Sequence, residues 1–440
     1  MIRSIKFICF FLFATLSFGL VNAQVKTEEI RSLENKLKIL FPDAEITEMA
    51  SKDFYTESYQ MILKEPLDHQ NPGSGFFKHY IYISHSNYES PTVLVTEGYN
   101  ARPQTYELSK ILKANQVQVE YRFYGKSRPN TIPWQYLKND QAIEDYHQLL
   151  KKLKLLYANK WISTGISKGG ETVLIYKSKY PNDVDVAVPY VAPLINTQED
   201  IRTENHINTV GSDVCRNKIT KFQRQVLKNR DSVLMEISAY AKKRKIQFTE
   251  LTTEEALEYA VLEFPFSFWQ WGGNCDEIPL NSTTVKKQFD YINKIVGIGF
   301  YNDKTYEELL PSYYQHMIEL GYYGFDKKPV KDLLQVVHHP NNKRFAPLNV
   351  DLTYDPNYIK KVRNFVENKG NRILYIYGEY DTWGACAPSP KPNVDALKMV
   401  LKKGSHKTRI KDFSTTDQQI IYDKLQDWLG DKEMIYPLEN

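Results

Sequence analysis

The chain has 440 residues, of which 42% are apolar and 25% are charged. This balance is typical of a packed globular protein and excludes a disordered or fibrous chain, and the length fits one catalytic domain that carries a large insertion. The formal charge of +4 falls to +2 when the two basic residues of the leader described next are removed, and so small a charge argues against a nucleic-acid partner.

The first 23 residues have the pattern of a secretory leader. A basic start with Arg3 and Lys6 precedes an apolar run from Phe7 to Leu20, and Ala23 follows at a cleavage position. We therefore predict a signal peptide cut after Ala23 and an exported protein, periplasmic or secreted, with no membrane anchor after cleavage. The alternative, an uncleaved anchor, is disfavoured because the apolar run is shorter than the ~20 residues that a spanning helix needs.

After a predicted helix at 28–40 and an extended lead-in, strands and helices alternate along the chain. Strand-like runs at 61–63 and 76–84 flank a turn and predict a hairpin that opens a sheet. Such alternation predicts parallel βαβ units with helices on both faces of the sheet. The predicted strands that follow the hairpin are 92–96, 116–121, 160–164 and 184–190, and the predicted helices between them are 104–113, 140–157 and 168–179.

Residues 195–365 interrupt this alternation. The segment is mostly helical in character, with charged amphipathic stretches such as 219–246 and 253–262, and it shows no clear strand. Strand-like runs return at 372–377 and 396–401, before a closing helix at 415–429. The middle segment is therefore predicted to be an insertion between two strands of one sheet.

Three cysteines follow the leader: Cys215, Cys275 and Cys386. An odd number permits one disulfide in an oxidising compartment. We predict that Cys215 pairs with Cys275, since Cys386 lies five residues after Asp381 and is better explained as a buried thiol. The alternative, in which all three are free, stays open at this point.

The most informative motif is Gly165-Ile166-Ser167-Lys168-Gly169, which follows an apolar strand and opens a helix. A strand-to-helix turn of this type is strained, and a Cβ at either flanking glycine would collide with the strand or the helix. The motif predicts a nucleophile elbow that exposes the Ser167 hydroxyl at the carboxyl edge of the sheet.

A serine hydroxyl is a poor nucleophile at neutral pH, so a base must activate it. In proteins with a nucleophile elbow of this type, an acid follows the serine in sequence and a histidine follows the acid. Asp381 comes after one late strand and His406 after the last. We predict that His406 is the base and that Asp381 orients it. Glu379 is the alternative acid, and His338 and His339 are interpreted as surface residues of the insertion.

This order predicts an α/β-hydrolase fold. Residues 24–194 and 366–440 then form the catalytic domain, and residues 195–365 form a helical cap over it. The oxyanion of an acyl-transfer intermediate needs amide donors, for which we predict the backbone N–H groups of Lys168 and Tyr99. The chain shows no His-Glu-x-x-His, no Cys-x-x-Cys pair and no phosphate loop, so no cofactor or metal is predicted.

Four segments resemble a known family. They are Glu65 to Pro72, Glu120 to Ser127, Gly165 to Gly170, and Asp381-Thr382-Trp383. Together they look like the signatures of the secreted bacterial tripeptidyl aminopeptidases and of the related prolyl carboxypeptidase and dipeptidyl peptidase II family, and the Gly-Ile-Ser-Lys-Gly-Gly form favours the first group. The likeness covers about 59–194 and 371–410.

The resemblance implies a serine exopeptidase that removes short peptides from chain ends, often next to proline, beneath a helical cap. It places Ser167, Asp381 and His406 at the triad positions, and Arg122 with Tyr124 in a segment that supports the site. The insertion does not match closely, which leaves the choice of substrate open.

The substrate-binding residues are predicted from the chain itself. Phe266 and Trp269 lie in an aromatic run of the insertion, which forms either an apolar wall for a proline or the core of the cap. Glu97 and Glu171 lie close to the elbow in sequence and are candidates to bind a free amino group, or else structural ion-pair partners. Two other functions stay open: an esterase or lipase, and a binding protein without activity on the same fold.

Overall fold

The computed structural model describes residues 32–280, 284–430 and 435–438. The predicted leader lies outside these residues, so its cleavage stays a prediction. Among the residues described, no helix is long and apolar enough to cross a membrane.

Most strands of the described residues belong to one central sheet. The strands are β1 (Glu45–Met49), β2 (Glu57–Pro66), β3 (Phe76–His85), β4 (Thr92–Thr96), β5 (Asn115–Val119), β6 (Trp161–Ile166), β7 (Val186–Tyr190), β8 (Glu199–Asp200), β9 (Tyr322–Tyr323), β10 (Ile373–Gly378) and β11 (Ala396–Leu401). The order in the sheet is β1-β2-β3-β5-β4-β6-β7-β10-β11. Pairs among β1, β2, β3 and β5 are antiparallel, and every pair from β5 onwards in this order is parallel.

Helices cover both faces of this sheet. In the described part of the chain they are α1 (Leu33–Leu40), α2 (Glu107–Leu112), α3 (Asn139–Leu153), α4 (Lys168–Lys179), α5 (Ile201–Thr209), α6 (Asp213–Lys228), α7 (Arg230–Arg244), α8 (Thr253–Gln270), α9 (Val285–Ile295), α10 (Asp303–Gln315), α11 (Tyr358–Asn368) and α12 (Thr415–Leu429). Because successive strand residues point to opposite sides, Val93 and Val95 join the core with α2 and α12, and Leu94 joins the core with α1, α3, α4 and α11. The predicted α/β-hydrolase fold is confirmed.

The strand β1 was not predicted. The sequence indicates an extended lead-in before residue 57, whereas Glu45–Met49 pairs antiparallel with β2. None of its side chains is fully buried, because β1 lies at the edge of the sheet. An edge strand tolerates polar residues, so it lacks the apolar run that marks a buried strand.

The helices α5 to α10 lie in the insertion, and most of them enclose an apolar core of their own. Phe222 of α6 and Phe264 of α8 are fully buried there. A disulfide joins Cys215 and Cys275, whose Cα atoms are 5.4 Å apart, and it ties α6 to the loop after α8. Cys386 is a free thiol with no exposed surface.

Two details of the insertion differ from the prediction. β8 and β9 form a short parallel pair where no strand was expected, because two residues per strand are too few to show a period. The predicted boundary at 365 falls inside α11, whose Ile359, Val362 and Val366 are buried in the core of the sheet. The helix α11 therefore packs with the sheet rather than with the core of the insertion.

The helix α8 continues past the amphipathic stretch 253–262 and through Pro265. Proline has no N–H, so the carbonyl oxygen of Val261, one turn earlier, loses its helical donor. The side chain of Gln223 on α6 replaces it, since Nε2 donates to Val261 O at 2.7 Å. The aromatic residues on either side of Pro265 therefore stay on one helix.

Candidate active site

Ser167 lies in a sharp turn between β6 and α4. Its φ of 58° and ψ of −125° are outside the regions that a non-glycine residue ordinarily occupies. A Cβ on Gly165 would lie 2.4 Å from the Gly169 carbonyl, and one on Gly169 would lie 2.5 Å from Thr96 O, so both positions require glycine. The Ser167 N–H donates to Tyr190 O of β7 at 2.9 Å. The strained serine is thus held at the carboxyl edge of the sheet.

Asp381 and His406 follow the ends of β10 and β11. Asp381 is fully buried, and its Oδ2 lies 2.8 Å from Nδ1 of His406. The other carboxylate oxygen accepts the N–H of Trp383 at 3.2 Å. Because the carboxylate accepts from Nδ1, the Nε2 atom of the neutral imidazole is left as an acceptor. The alternative acid Glu379 is exposed and accepts the backbone N–H of Lys403 instead.

The loops that carry these three residues lie along one edge of the sheet. The turns after β10 and β11 pack closely, since a Cβ on Gly378 would lie 2.4 Å from the carbonyl carbon of Gly404. Within the described part of the chain, no hydrogen bond joins Ser167 to His406. Hydrogen bonds between a nucleophile and its base often tighten only when substrate binds.

The loop after β4 packs directly against the elbow. A Cβ on Gly98 would lie 2.6 Å from both Gly169 N and Lys168 Cβ, so only a glycine lets these segments meet. Neither the Lys168 N–H nor the Tyr99 N–H donates to an acceptor among the described residues. Both amides predicted for an oxyanion hole therefore lie at the elbow and are free to donate.

Two ionisable side chains of α4 are buried behind the elbow. Burial lowers the pKa of Lys168 to about 7, although Glu171 and Glu319 oppose this shift. Burial raises the pKa of Glu171 to about 8, with Lys168 opposing. Neither carboxyl oxygen of Glu171 has a hydrogen-bond partner among the residues described. Of the two predicted amine ligands, Glu171 is the one that the structure leaves without a partner.

Glu97 lies in a different environment. Its carboxylate accepts from the hydroxyl of Tyr106 and from Nε2 of Gln118, the latter at 2.7 Å. Tyr106 is the N-cap residue of α2, and Gln118 lies in strand β5 of the central sheet. Glu97 is therefore held in a structural hydrogen-bond network of neutral partners, and among the described residues it forms no ion pair.

Phe266 and Trp269 are each 2% exposed. The Phe266 ring stacks on Tyr323 at 4.1 Å and meets Trp383 edge-on at 4.9 Å. The Trp269 ring meets Tyr380 edge-on at 5.2 Å. Both side chains fill the contact between the insertion and the loop of Asp381: the Phe266 ring meets Trp383, two residues after this acid, and the Trp269 ring meets Tyr380, directly before it.

Sequence reasoning missed Trp271 and Glu263. The ring of Trp271 is 42% exposed and stands edge-on to the His406 imidazole, with centroids 5.7 Å apart. Glu263 is buried on α8, where it accepts from the hydroxyls of Ser267 and Tyr323, and burial raises its pKa to about 7. Trp271 ends the aromatic run and precedes two glycines, which marks a helix end, but nothing in that pattern indicates its partner.

Arg122, which the resemblance places in a supporting segment, is the centre of a buried hydrogen-bond network. Its guanidinium donates to both oxygens of Asp145 at 2.7 Å and to the carbonyl oxygens of Leu67 and Tyr136 at 2.9 Å. Asp145 also lies near His69 and Glu65, in the spacing of a metal site. Both carboxylate oxygens of Asp145 already accept hydrogen bonds from Arg122. We therefore interpret Glu65, His69 and Asp145 as members of a hydrogen-bond network and not as metal ligands.

Comparison with known proteins agrees with this geometry. The model of the family described as PS-10 peptidase S37 matches residues 37–393. A prolyl tri/tetrapeptidyl aminopeptidase of Streptomyces mobaraensis is 31% identical over 387 residues, which cover 84% of this chain and 80% of the relative. A prolyl carboxy peptidase like protein 5 of Caenorhabditis elegans is 29% identical over 171 residues, or 33% of this chain and 34% of that protein.

A solved structure, the proline iminopeptidase of Mycobacterium smegmatis, aligns with 84% of this chain and 99% of its own, at 11% identity and a TM-score of 0.40. That likeness carries no argument about activity. The family match and the Streptomyces relative both span most of the chain, and they confirm the resemblance inferred from the motifs. The chain belongs to the peptidase S37 family, and it is a serine peptidase that acts on peptides.

Proposed function

We propose that this serine peptidase is an exported exopeptidase that releases di- or tripeptides from amino termini through an acyl-enzyme on Ser167. The observation that carries the proposal is the 2.8 Å contact between Asp381 and His406 at the same sheet edge as the strained Ser167. The name of the Streptomyces relative supports attack from the amino terminus and a preference for proline.

The mechanism follows from the positions of these groups. His406 Nε2 takes the proton of Ser167 as Oγ attacks the substrate carbonyl, and the same imidazole then returns it to the leaving amine. Asp381 fixes the tautomer and stabilises the imidazolium. The N–H groups of Lys168 and Tyr99 hold the oxyanion, and water repeats the sequence to release the short peptide.

Glu171 is the proposed ligand of the substrate's amino group. It lies one helical turn beyond Ser167 on α4, and neither carboxyl oxygen has a hydrogen-bond partner in the described part of the chain. Because burial raises its pKa to about 8, the carboxyl becomes stably charged only when a cation comes close. A free amino terminus supplies that cation, and an acetylated one does not.

The helical insertion is proposed to act as a cap that excludes chain interiors. The carbonyl oxygen of Phe266 accepts the hydroxyl of Thr382 at 3.2 Å, so α8 lies over the loop of Asp381. The leader and the disulfide support export to an oxidising compartment. The family match favours peptides over the acyl esters of the alternative hydrolase function.

A fluorophosphonate probe and a peptide panel test this proposal. We expect the probe to label the wild-type protein and not Ser167→Ala. Product sequencing should show amino-terminal di- or tripeptides, and acetylation of the substrate should lower kcat/KM far more than changes distal to the cut. Rapid internal cleavage of a long, end-blocked, unstructured protein would contradict the exopeptidase proposal while leaving the triad intact.

A further inference from the structure

The side chain of Lys168 occupies an unusual position for a lysine. It is 2% exposed, and no carboxylate forms an ion pair with it within the described ranges. Its Nζ donates instead to the carbonyl oxygen of Gly98 at 2.8 Å. The ammonium also lies 3.6 Å from the centre of the Tyr121 ring and 5.1 Å from that of Tyr124. Burying the polar end of a lysine is costly, so these contacts require an explanation beyond filling space.

The bonded carbonyl belongs to the peptide group that carries the Tyr99 N–H. In a planar trans peptide, the C=O of Gly98 and the N–H of Tyr99 point in opposite directions. A donor that fixes the carbonyl therefore fixes the direction of the amide as well. The hydrogen bond from Nζ also polarises the peptide, which makes its N–H a stronger donor.

We propose that the Lys168 side chain is a positioning residue of the oxyanion hole, where it holds the Gly98–Tyr99 peptide so that the Tyr99 N–H faces the developing oxyanion. The backbone N–H of Lys168 is the other donor, so one residue supplies one amide and orients the second. The inference rests on the proposed function, because it requires acyl transfer to Ser167.

Lys177 provides a matched control on the same helix. It too is a buried lysine whose Nζ donates to backbone carbonyls, those of Pro181 at 2.8 Å and Val184 at 2.9 Å. It lies at the opposite end of α4 from the elbow. Replacing each lysine by methionine removes the same charge and the same type of hydrogen bond, so a general loss of packing should affect both variants.

The experiment measures kinetics and binding of a transition-state analogue on the full chain. For Lys168→Met we expect kcat to fall by roughly 100- to 1000-fold, as for loss of one oxyanion donor, with KM changed less than about threefold. The affinity for a peptide boronic acid, whose tetrahedral adduct places an oxygen in the oxyanion hole, should fall by a similar factor. The affinity for the product peptide should not change.

For Lys177→Met, kcat and boronic acid affinity should stay within about threefold of wild type, even if its thermal midpoint falls. A Lys168→Met protein with wild-type kcat or wild-type boronic acid affinity would overturn the inference, and so would equal losses in both variants. If Lys168→Met does not fold, Lys168→Gln receives the same measurements, and wild-type values there are equally decisive.

Failure of the proposed function gives a different result. In that case the wild-type protein neither cleaves free-amino peptides nor forms a boronic acid adduct. An active, boronic acid-sensitive wild type together with an unimpaired Lys168→Met variant refutes the positioning role alone.

Discussion

The carbonyl oxygen of Gln270, the last residue of α8, accepts the backbone N–H of His406 at 2.8 Å. The helix that forms the centre of the insertion core is therefore bonded directly to the residue proposed as the base. A displacement of α8 is transmitted to the imidazole loop without passing through the sheet. The following residue, Trp271, adds a ring contact to the same imidazole.

We expect Trp271→Ala to lower kcat by roughly three- to tenfold, the range that an aromatic pair worth about 1 kcal/mol allows. The Trp271 ring limits rotation of His406, and Asp381 still holds Nδ1 in the variant. Phe300→Ala is the control, because that ring is 46% exposed and lies elsewhere in the insertion. Equal losses of kcat in Trp271→Ala and Phe300→Ala would refute the role of the Trp271–His406 ring contact in catalysis.

Ser167→Ala should abolish turnover, with a loss of about a millionfold that is typical of a triad nucleophile. Only Oγ is removed, from a side chain that is half-buried, so the circular dichroism spectrum and the thermal midpoint should match wild type. More than a few per cent of residual activity in a clean preparation would refute the assignment of the nucleophile.

Asp381→Asn should lower kcat by roughly four orders of magnitude, because the amide favours the wrong tautomer of His406. Glu379→Gln should lose far less, since Glu379 contacts the Lys403 amide and not the imidazole. The loss of kcat in each variant is measured from the rate of peptide cleavage at neutral pH. Similar losses would show that the acid is misassigned.

Glu171→Gln should lower activity on free-amino peptides and raise thermal stability at high pH. The pKa of Glu171 is raised from 4.5 to about 8, so its contribution to stability is full below about 4.5 and is lost as pH rises through about 8. Glutamine has no proton to lose. The difference in thermal midpoint between variant and wild type should therefore grow between about pH 5 and pH 9.

Glu319→Gln is the control for this experiment. Burial raises the pKa of Glu319 to about 7, but its Oε2 accepts from the backbone and the side chain of Asn139. The same linkage predicts a smaller gain for Glu319→Gln, because the pKa of Glu319 is raised less than that of Glu171, and the glutamine oxygen can still accept from Asn139. A difference in midpoint that does not vary with pH for Glu171→Gln would contradict the assigned pKa direction.

Replacing Cys215 and Cys275 together by serine should destabilise the insertion. The bridge closes a loop with a sequence separation of 60, for which the chain-entropy estimate is about 4 kcal/mol. Urea unfolding followed by tryptophan fluorescence measures the change in the free energy of unfolding. A reductant should destabilise the wild type and leave the double variant unaffected, and a double variant as stable as wild type would show that the bridge adds nothing.

The three residues of the proposed triad could be predicted from sequence because each follows an apolar strand of the central sheet. Ser167 has flanking glycines that the turn requires, and Asp381 and His406 come after the two late apolar runs. Each of these signals lies in the sequence directly next to the residue that it identifies. Strand β1 lacks such a signal because it is an edge strand with polar residues.

Several contacts between residues that are distant in sequence could not be predicted. The extension of α8 through Pro265 depends on the amide of Gln223, which is 38 residues from the carbonyl it satisfies. In the same way, the contact between Trp271 and His406 joins the insertion to the last strand loop. The pairing of Lys168 with Gly98 requires the elbow and the β4 loop to be in place.

The burial of Cys386 protects the folded protein from thiol–disulfide exchange. Burial raises its pKa to about 12, so the group stays a protonated thiol and has no surface for attack. Thiol–disulfide exchange needs an accessible thiolate. A maleimide should therefore label none of Cys215, Cys275 and Cys386 in the native protein. Exchange of the Cys215–Cys275 bridge is then confined to the unfolded chain, where the Cys386 thiol can reach either bridged cysteine. Complete folding therefore protects the correct disulfide pairing.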